Sequence, residues 1–143
     1  MRLRCRAAAV AFSAATILAA LPAWAQTREE NVDLCTSDNP DVKIAACTAM
    51  IQSGRESIVG LYVAYNQRGL AYDAKGLYGQ AIADYTELIA LLPTDRGGYV
   101  LRGGSYEKNG QRDQAIADYR AALKFDPENK KSLDGLKRLG AAP

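Results

Sequence analysis

The chain has 143 residues, 48% of them hydrophobic and 24% charged, with a formal net charge of +2 at pH 7. That is the composition of one folded domain, and its near-neutral charge gives no ground for nucleic acid or an anionic membrane as partner. No histidine is present, which removes the commonest general base and metal ligand and leaves no catalytic, cofactor-binding or metal constellation to name.

Residues 1–25 read as a secretory signal peptide. Arg2, Arg4 and Arg6 form a basic start, Ala7 to Leu21 an apolar run, and Ala23-Trp24-Ala25 a small-x-small cleavage site. A retained membrane anchor is the weaker alternative, because the run is short and rich in alanine, so no stable anchor is expected after cleavage. Cys5 precedes the run, whereas a lipid-bearing cysteine would follow it. The processed chain would begin at Gln26 in the periplasm or outside the cell. It carries one more acidic than basic residue, since three arginines leave with the signal.

Residues 26–61 are expected to form a degenerate helical segment containing Cys35 and Cys47. An exported chain meets an oxidising compartment, so these cysteines are expected to form a disulfide; two buried thiols are the alternative. Their spacing fits neither a CxxC redox motif nor a zinc knuckle. Asn39-Pro40-Asp41 has the chemistry of a helix start and Ser53-Gly54 that of a helix end, with Ile44, Cys47, Met50 and Ile51 on one face between them. This looks like the second helix of a hairpin without its first, a half-repeat that a bridge to Cys35 would tie down.

Residues 62–95 and 96–129 then present the same text twice. Gln80 to Tyr85 returns letter for letter as Gln114 to Tyr119, and Tyr65, Arg68, Gly69, Tyr72, Gly76 and Pro93 return as Tyr99, Arg102, Gly103, Tyr106, Gly110 and Pro127. In each copy the apolar residues fall at helical spacing, with a break near Gly76 or Gly110 and a stop at the proline. Each copy is therefore a helix-turn-helix hairpin. Gly97, Gly98, Gly103 and Gly104 make the first helix of the second copy the softest one expected, with Gly104 facing any groove.

On these residues the chain resembles the tetratricopeptide repeat family, in the form of a short exported bacterial member. The pattern is carried by Tyr65, Gly69, Tyr72, Ala81, Tyr85 and Pro93, then by Tyr99, Gly103, Tyr106, Ala115, Tyr119 and Pro127. The resemblance implies an all-α fold, a short α-solenoid of hairpins with a degenerate N-terminal half-repeat. One position departs from the pattern: Arg68 and Arg102 stand where the family has leucine. A buried guanidinium needs a partner, so Arg68 is expected to pair with Asp84 and Arg102 with Asp118. Residues 130–143 are expected to form a capping helix and tail, with Leu133 and Leu136 inward and Lys130, Lys131, Lys137 and Arg138 as the polar outer face.

The resemblance also implies that the first helix of each hairpin lines a concave groove. By position the groove residues are Val63, Asn66, Leu70, Asp73, Val100, Gly104, Glu107 and Lys108. Such a surface suits an extended peptide or a helix of a partner protein, bound weakly or transiently. The expected function is a non-catalytic interaction module, an adaptor or assembly factor; a self-associating structural protein without a separate client is the alternative.

Overall fold

The computed structural model describes residues 27–143, so the signal-like segment lies outside the described residues. These form seven helices: α1 (Arg28–Cys35), α2 (Pro40–Ser53), α3 (Ile58–Ala74), α4 (Tyr78–Leu91), α5 (Arg96–Lys108), α6 (Arg112–Phe125) and α7 (Lys130–Arg138). No strand occurs among the described residues, and no helix there is long and apolar enough to cross a membrane. Each helix packs on its neighbour in sequence, the order of a solenoid of hairpins.

Local chemistry sets the boundaries. Asn39 Oδ1 accepts from the amides of Asp41 at 2.9 Å and Val42 at 3.3 Å, with Pro40 in the first turn of α2. Ser57, Asp95 and Asn129 cap α3, α5 and α7 in the same way. Gly76 and Gly110 sit at φ 72° and 76°, a left-handed conformation that favours glycine. There the amides of Leu77 and Gln111 reach back to the carbonyls of Tyr72 at 2.9 Å and Tyr106 at 2.8 Å, ending α3 and α5 and turning the chain into the next helix.

The N-terminal segment is a whole hairpin and not a half-repeat. α1 supplies the missing first helix, opened by a capping box between Thr27 and Glu30. Two features hide it in the sequence. With eight residues and few apolar ones, α1 has little periodicity to read. In addition, α3 has 17 residues against 13 in α5, an extra first turn that shifts the repeat spacing and leaves Ile58 and Val59 exposed.

Ala81, Tyr85 and Leu88 of α4, Ala115 and Ala122 of α6, and Leu136 of α7 are fully buried. Leu92 and Phe125, at the far ends of the apolar stripes, stay half-exposed, with Phe125 stacked on Tyr99 at 5.9 Å. Tyrosines set the distance between helices. A Cβ on Gly69 would fall 2.6 Å from the Tyr85 ring, and one on Gly103 would fall 3.1 Å from Tyr119. Gly135 of α7 presses on the other side of Tyr119, where a Cβ would also clash.

Gly69→Ala is therefore expected to destabilise by about 1–3 kcal/mol through overpacking on the buried Tyr85. Gly104 has only the Tyr119 hydroxyl near its missing Cβ, at 3.8 Å, so Gly104→Ala is expected to stabilise by up to about 1 kcal/mol through helix propensity. Thermal unfolding of the two variants, moving in opposite directions, checks both.

Candidate partner-binding groove

Behind the groove stands a polar frame that the repeats build twice. Arg68 Nε and Nη2 donate to Asp84 at 2.9 and 2.7 Å, while Nη1 donates to Thr48 of α2 at 3.0 Å. Arg102 repeats this with Asp118 at 2.7 and 2.8 Å and with Thr86 of α4 at 3.1 Å. The pairing inside each hairpin is the one read from the sequence; the thread back to the preceding hairpin is not. Rings of Tyr65 and Tyr72 lie 5.7 and 5.9 Å from the Arg68 guanidinium carbon, and Tyr106 lies 5.9 Å from that of Arg102. The aspartates hold both guanidinium pKa values above the ordinary arginine value, against the opposing effect of burial.

A second set of junctions consumes two carboxylates that the sequence places in the groove. Asp73 accepts from Ser105 of α5 at 2.7 Å and Tyr85 of α4 at 3.4 Å, with Lys108 Nζ 3.8 Å away. Glu107 accepts from Tyr119 at 2.7 Å and from Arg138 of α7 at 2.9 Å through two nitrogens. Arg138 lowers the Glu107 pKa, and the Tyr119 hydroxyl adds to that effect. Arg138, exposed as expected of the outer face, is thus also a clamp between α7 and α5. Of the other residues expected there, Lys130 pairs with Asp134 at 2.7 Å, whereas Lys131 turns toward the groove.

The open part of this face is a cleft of about 320 Å³ between α5 and α7. Asp73, Val100, Gly104 and Lys108 line it, four of the eight residues read from sequence. Leu101, Tyr119, Lys131, Asp134 and Arg138 complete it. In the sequence α7 carries only a capping role and so no groove residue, although its cap Asn129 follows Asp95 at the repeat spacing, as in a further first helix. Val63, Asn66 and Leu70 lie on α3 outside the cleft. Leu70 is exposed, while Val63 and Asn66 are half-buried, and Asn66 Oδ1 is enclosed without a hydrogen-bond partner. Cys35 and Cys47, both fully buried, are joined by a disulfide at the first hairpin.

This is a stack of helical hairpins with one side-chain-lined face left open, the class of helical-repeat proteins. Models of the tetratricopeptide repeat match residues 62–95 and 97–129, and the chain belongs to that family. Among solved structures, the Arabidopsis OM64 TPR domain is 24% identical over 79% of this chain and 90% of its own, with a TM-score of 0.65. The first TPR of Spaghetti (RPAP3), bound to the HSP90 peptide SRMEEVD, is 20% identical over 79% and 86%, with a TM-score of 0.66. The second TPR domain of human RPAP3, in complex with the HSP70 peptide SGPTIEEVD, is 20% identical over 80% and 92%, with a TM-score of 0.67. At such identities the likeness is one of fold. No curated protein sequence matches the chain.

Asp118→Asn is expected to cost about 3 kcal/mol, because it leaves the Arg102 charge without its bidentate partner in a largely enclosed site. Replacing both, Arg102→Leu with Asp118→Leu, is expected to recover most of that loss; urea unfolding of the three proteins gives the comparison.

A pH limit follows from the tyrosines. Burial first, then the Asp95 carboxylate that accepts from its hydroxyl at 2.6 Å, pushes Tyr62 up to about 12 from 10.0. Tyr85 and Tyr119 are raised in the same direction, again chiefly by burial. Above pH 10 the unfolded chain releases these protons and the folded one keeps them, so stability is complete below pH 10 and falls as pH rises through about 12. Tyrosinate absorbance should lag behind that of free tyrosine and then rise together with loss of helical circular dichroism.

Proposed function

We propose that this protein is an exported, non-catalytic interaction module that takes an extended peptide or a helix of a partner across the face formed by α3, α5 and α7. The observation that carries this reading is the division of that face. Asp73 and Glu107 are spent on internal bonds, while Leu70 is exposed and Lys108 and Lys131 border a cleft floored by Gly104. Such a surface offers apolar contact at one end and cationic donors at the other, over an area that suits weak and reversible binding. Peptide binding by the RPAP3 domains supports the class of ligand, not its sequence. The basic start and alanine-rich run before Gln26 support export to the periplasm or the exterior.

Self-stacking has less support. The α6 face that a further repeat would cover is occupied by the chain's own tail, with Arg112 donating to the Leu139 carbonyl at 2.5 Å and Arg120 to that of Ala142 at 2.8 Å.

Cross-linking in the native envelope, followed by mass spectrometry, is expected to recover a protein partner from the wild-type chain. Leu70→Asp and Gly104→Trp should each weaken its binding at least about tenfold while leaving circular dichroism unchanged. A partner held equally by both variants would place the binding surface elsewhere.

A further inference from the structure

The first hairpin is fastened by different chemistry from the two that follow it, in the same place. α2, α4 and α6 each have 14 residues, and Cys47, Tyr85 and Tyr119 are the eighth residue of each. Their partners sit at the end of the preceding helix, twelve residues upstream in every case: Cys35, Asp73 and Glu107. A covalent bond in the first hairpin thus takes the position of an acid–tyrosine hydrogen bond in the repeats. The residue four before each partner changes with it. Gly69 and Gly103 make room for a tyrosine ring, whereas their counterpart Asn31, in a hairpin with a smaller cysteine at that place, is buried with its Oδ1 lacking a hydrogen-bond partner.

Little else fastens α1. Glu30 and Ala46 stand where the repeats have the Arg68–Asp84 and Arg102–Asp118 pairs, and Glu30 is turned back onto the amide of Thr27 at 2.8 Å. Eight residues are too few for a helix to persist undocked. The core beneath α1 is built on Cys35, Ala46, Cys47, Met50 and Ala64, with Leu34 and Ile51 packed against it, so the two bridged cysteines lie at its centre.

We propose that the Cys35–Cys47 bridge is a redox-sensitive tie: its reduction releases α1 from α2 while α3 to α7 stay folded. For the groove, and resting there on the function proposed above, the consequence is loss of its first wall. Val32 precedes Cys35 as Leu70 precedes Asp73, and the two are exposed to nearly the same degree, 37% and 38%. The reductant is a dithiol. It gives two electrons and two protons, leaving Cys35 and Cys47 as thiols and itself as a disulfide. Both sulfurs are fully buried, so reduction follows opening of α1.

Hydrogen exchange of the full chain, with and without a small-molecule dithiol, tests this without any ligand. After reduction verified by thiol labelling, amides of α1 should exchange about a hundredfold faster, the closure entropy of so short a loop, and those of α4 to α6 should not change. Unchanged protection of α1 overturns the proposal, and so does loss of protection throughout α4 to α6. Cys35→Ala with Cys47→Ala should reproduce the reduced state without reductant. Asn31→Gly with Cys35→Asp and Cys47→Tyr rebuilds the repeat chemistry, and should protect α1 better than the alanine pair while ignoring the dithiol. Equal exchange in those two variants would show that the bridge does not stand in for the acid–tyrosine tie. Should α1 loosen while partner binding persists, the tie stands and α1 is no wall of the groove, whose α3, α5 and α7 face is tested separately by Leu70→Asp and Gly104→Trp.

Discussion

The guanidinium of Arg68, shared between Asp84 of its own hairpin and Thr48 of the hairpin before, is the contact on which this array depends. Removing such a group from water is unfavourable unless its donors are met. Meeting them requires three helices at fixed distance and angle, so the ion pair adds less to net stability than to specification of a single stacking geometry. Arg102 imposes the same condition on α4, α5 and α6. Carboxylates work in the opposite direction along the chain: Asp73 reaches forward to Ser105 and Glu107 forward to Arg138. α3 and α5 are thereby each bound both to the hairpin behind and to the helix ahead.

Both ends of the array depart from this scheme, each in a chemically legible way. At the C-terminal end, Arg120 takes the place of Thr48 and Thr86, and the buried Leu136 takes the place of Arg68 and Arg102. The ladder cannot continue, and Arg112 and Arg120 hold the tail instead. At the N-terminal end, the guanidinium lock is replaced by Glu30 and Ala46, and a disulfide does the work of an acid and a tyrosine. The middle of the solenoid is held by polar networks that need both neighbours, whereas a terminal hairpin has only one. A covalent bond is one answer to that deficit, a tail strapped by arginines another.

The helix-turn-helix copies, their stops at Gly76 and Gly110, the Asn39 cap and the Arg68–Asp84 and Arg102–Asp118 pairs were all legible before any coordinates. Each depends on residues close in sequence or on an exact repeat. α1 was not legible, because three apolar residues in eight give no period and the extra turn of α3 displaces the first hairpin from the spacing of the others. The groove was half legible. Helical phase showed which residues share a face, but it could not show that Asp73 and Glu107 are consumed by Ser105, Tyr119 and Arg138.

By itself the sequence determined that this protein is a tandem of helical hairpins with tyrosines packed on glycines, since periodicity and repetition are properties of a line and survive without coordinates. Tertiary structure alone decided that the groove carboxylates Asp73 and Glu107 are consumed by bonds between hairpins. Lys131 and Leu70 stay on the open face, while Asp73 is held by the Ser105 hydroxyl and the Lys108 ammonium and Glu107 by the Tyr119 hydroxyl and the Arg138 guanidinium. Partners drawn from the next hairpin are chosen by distance in space, to within a few tenths of an ångström, and the pattern within one repeat does not encode that distance.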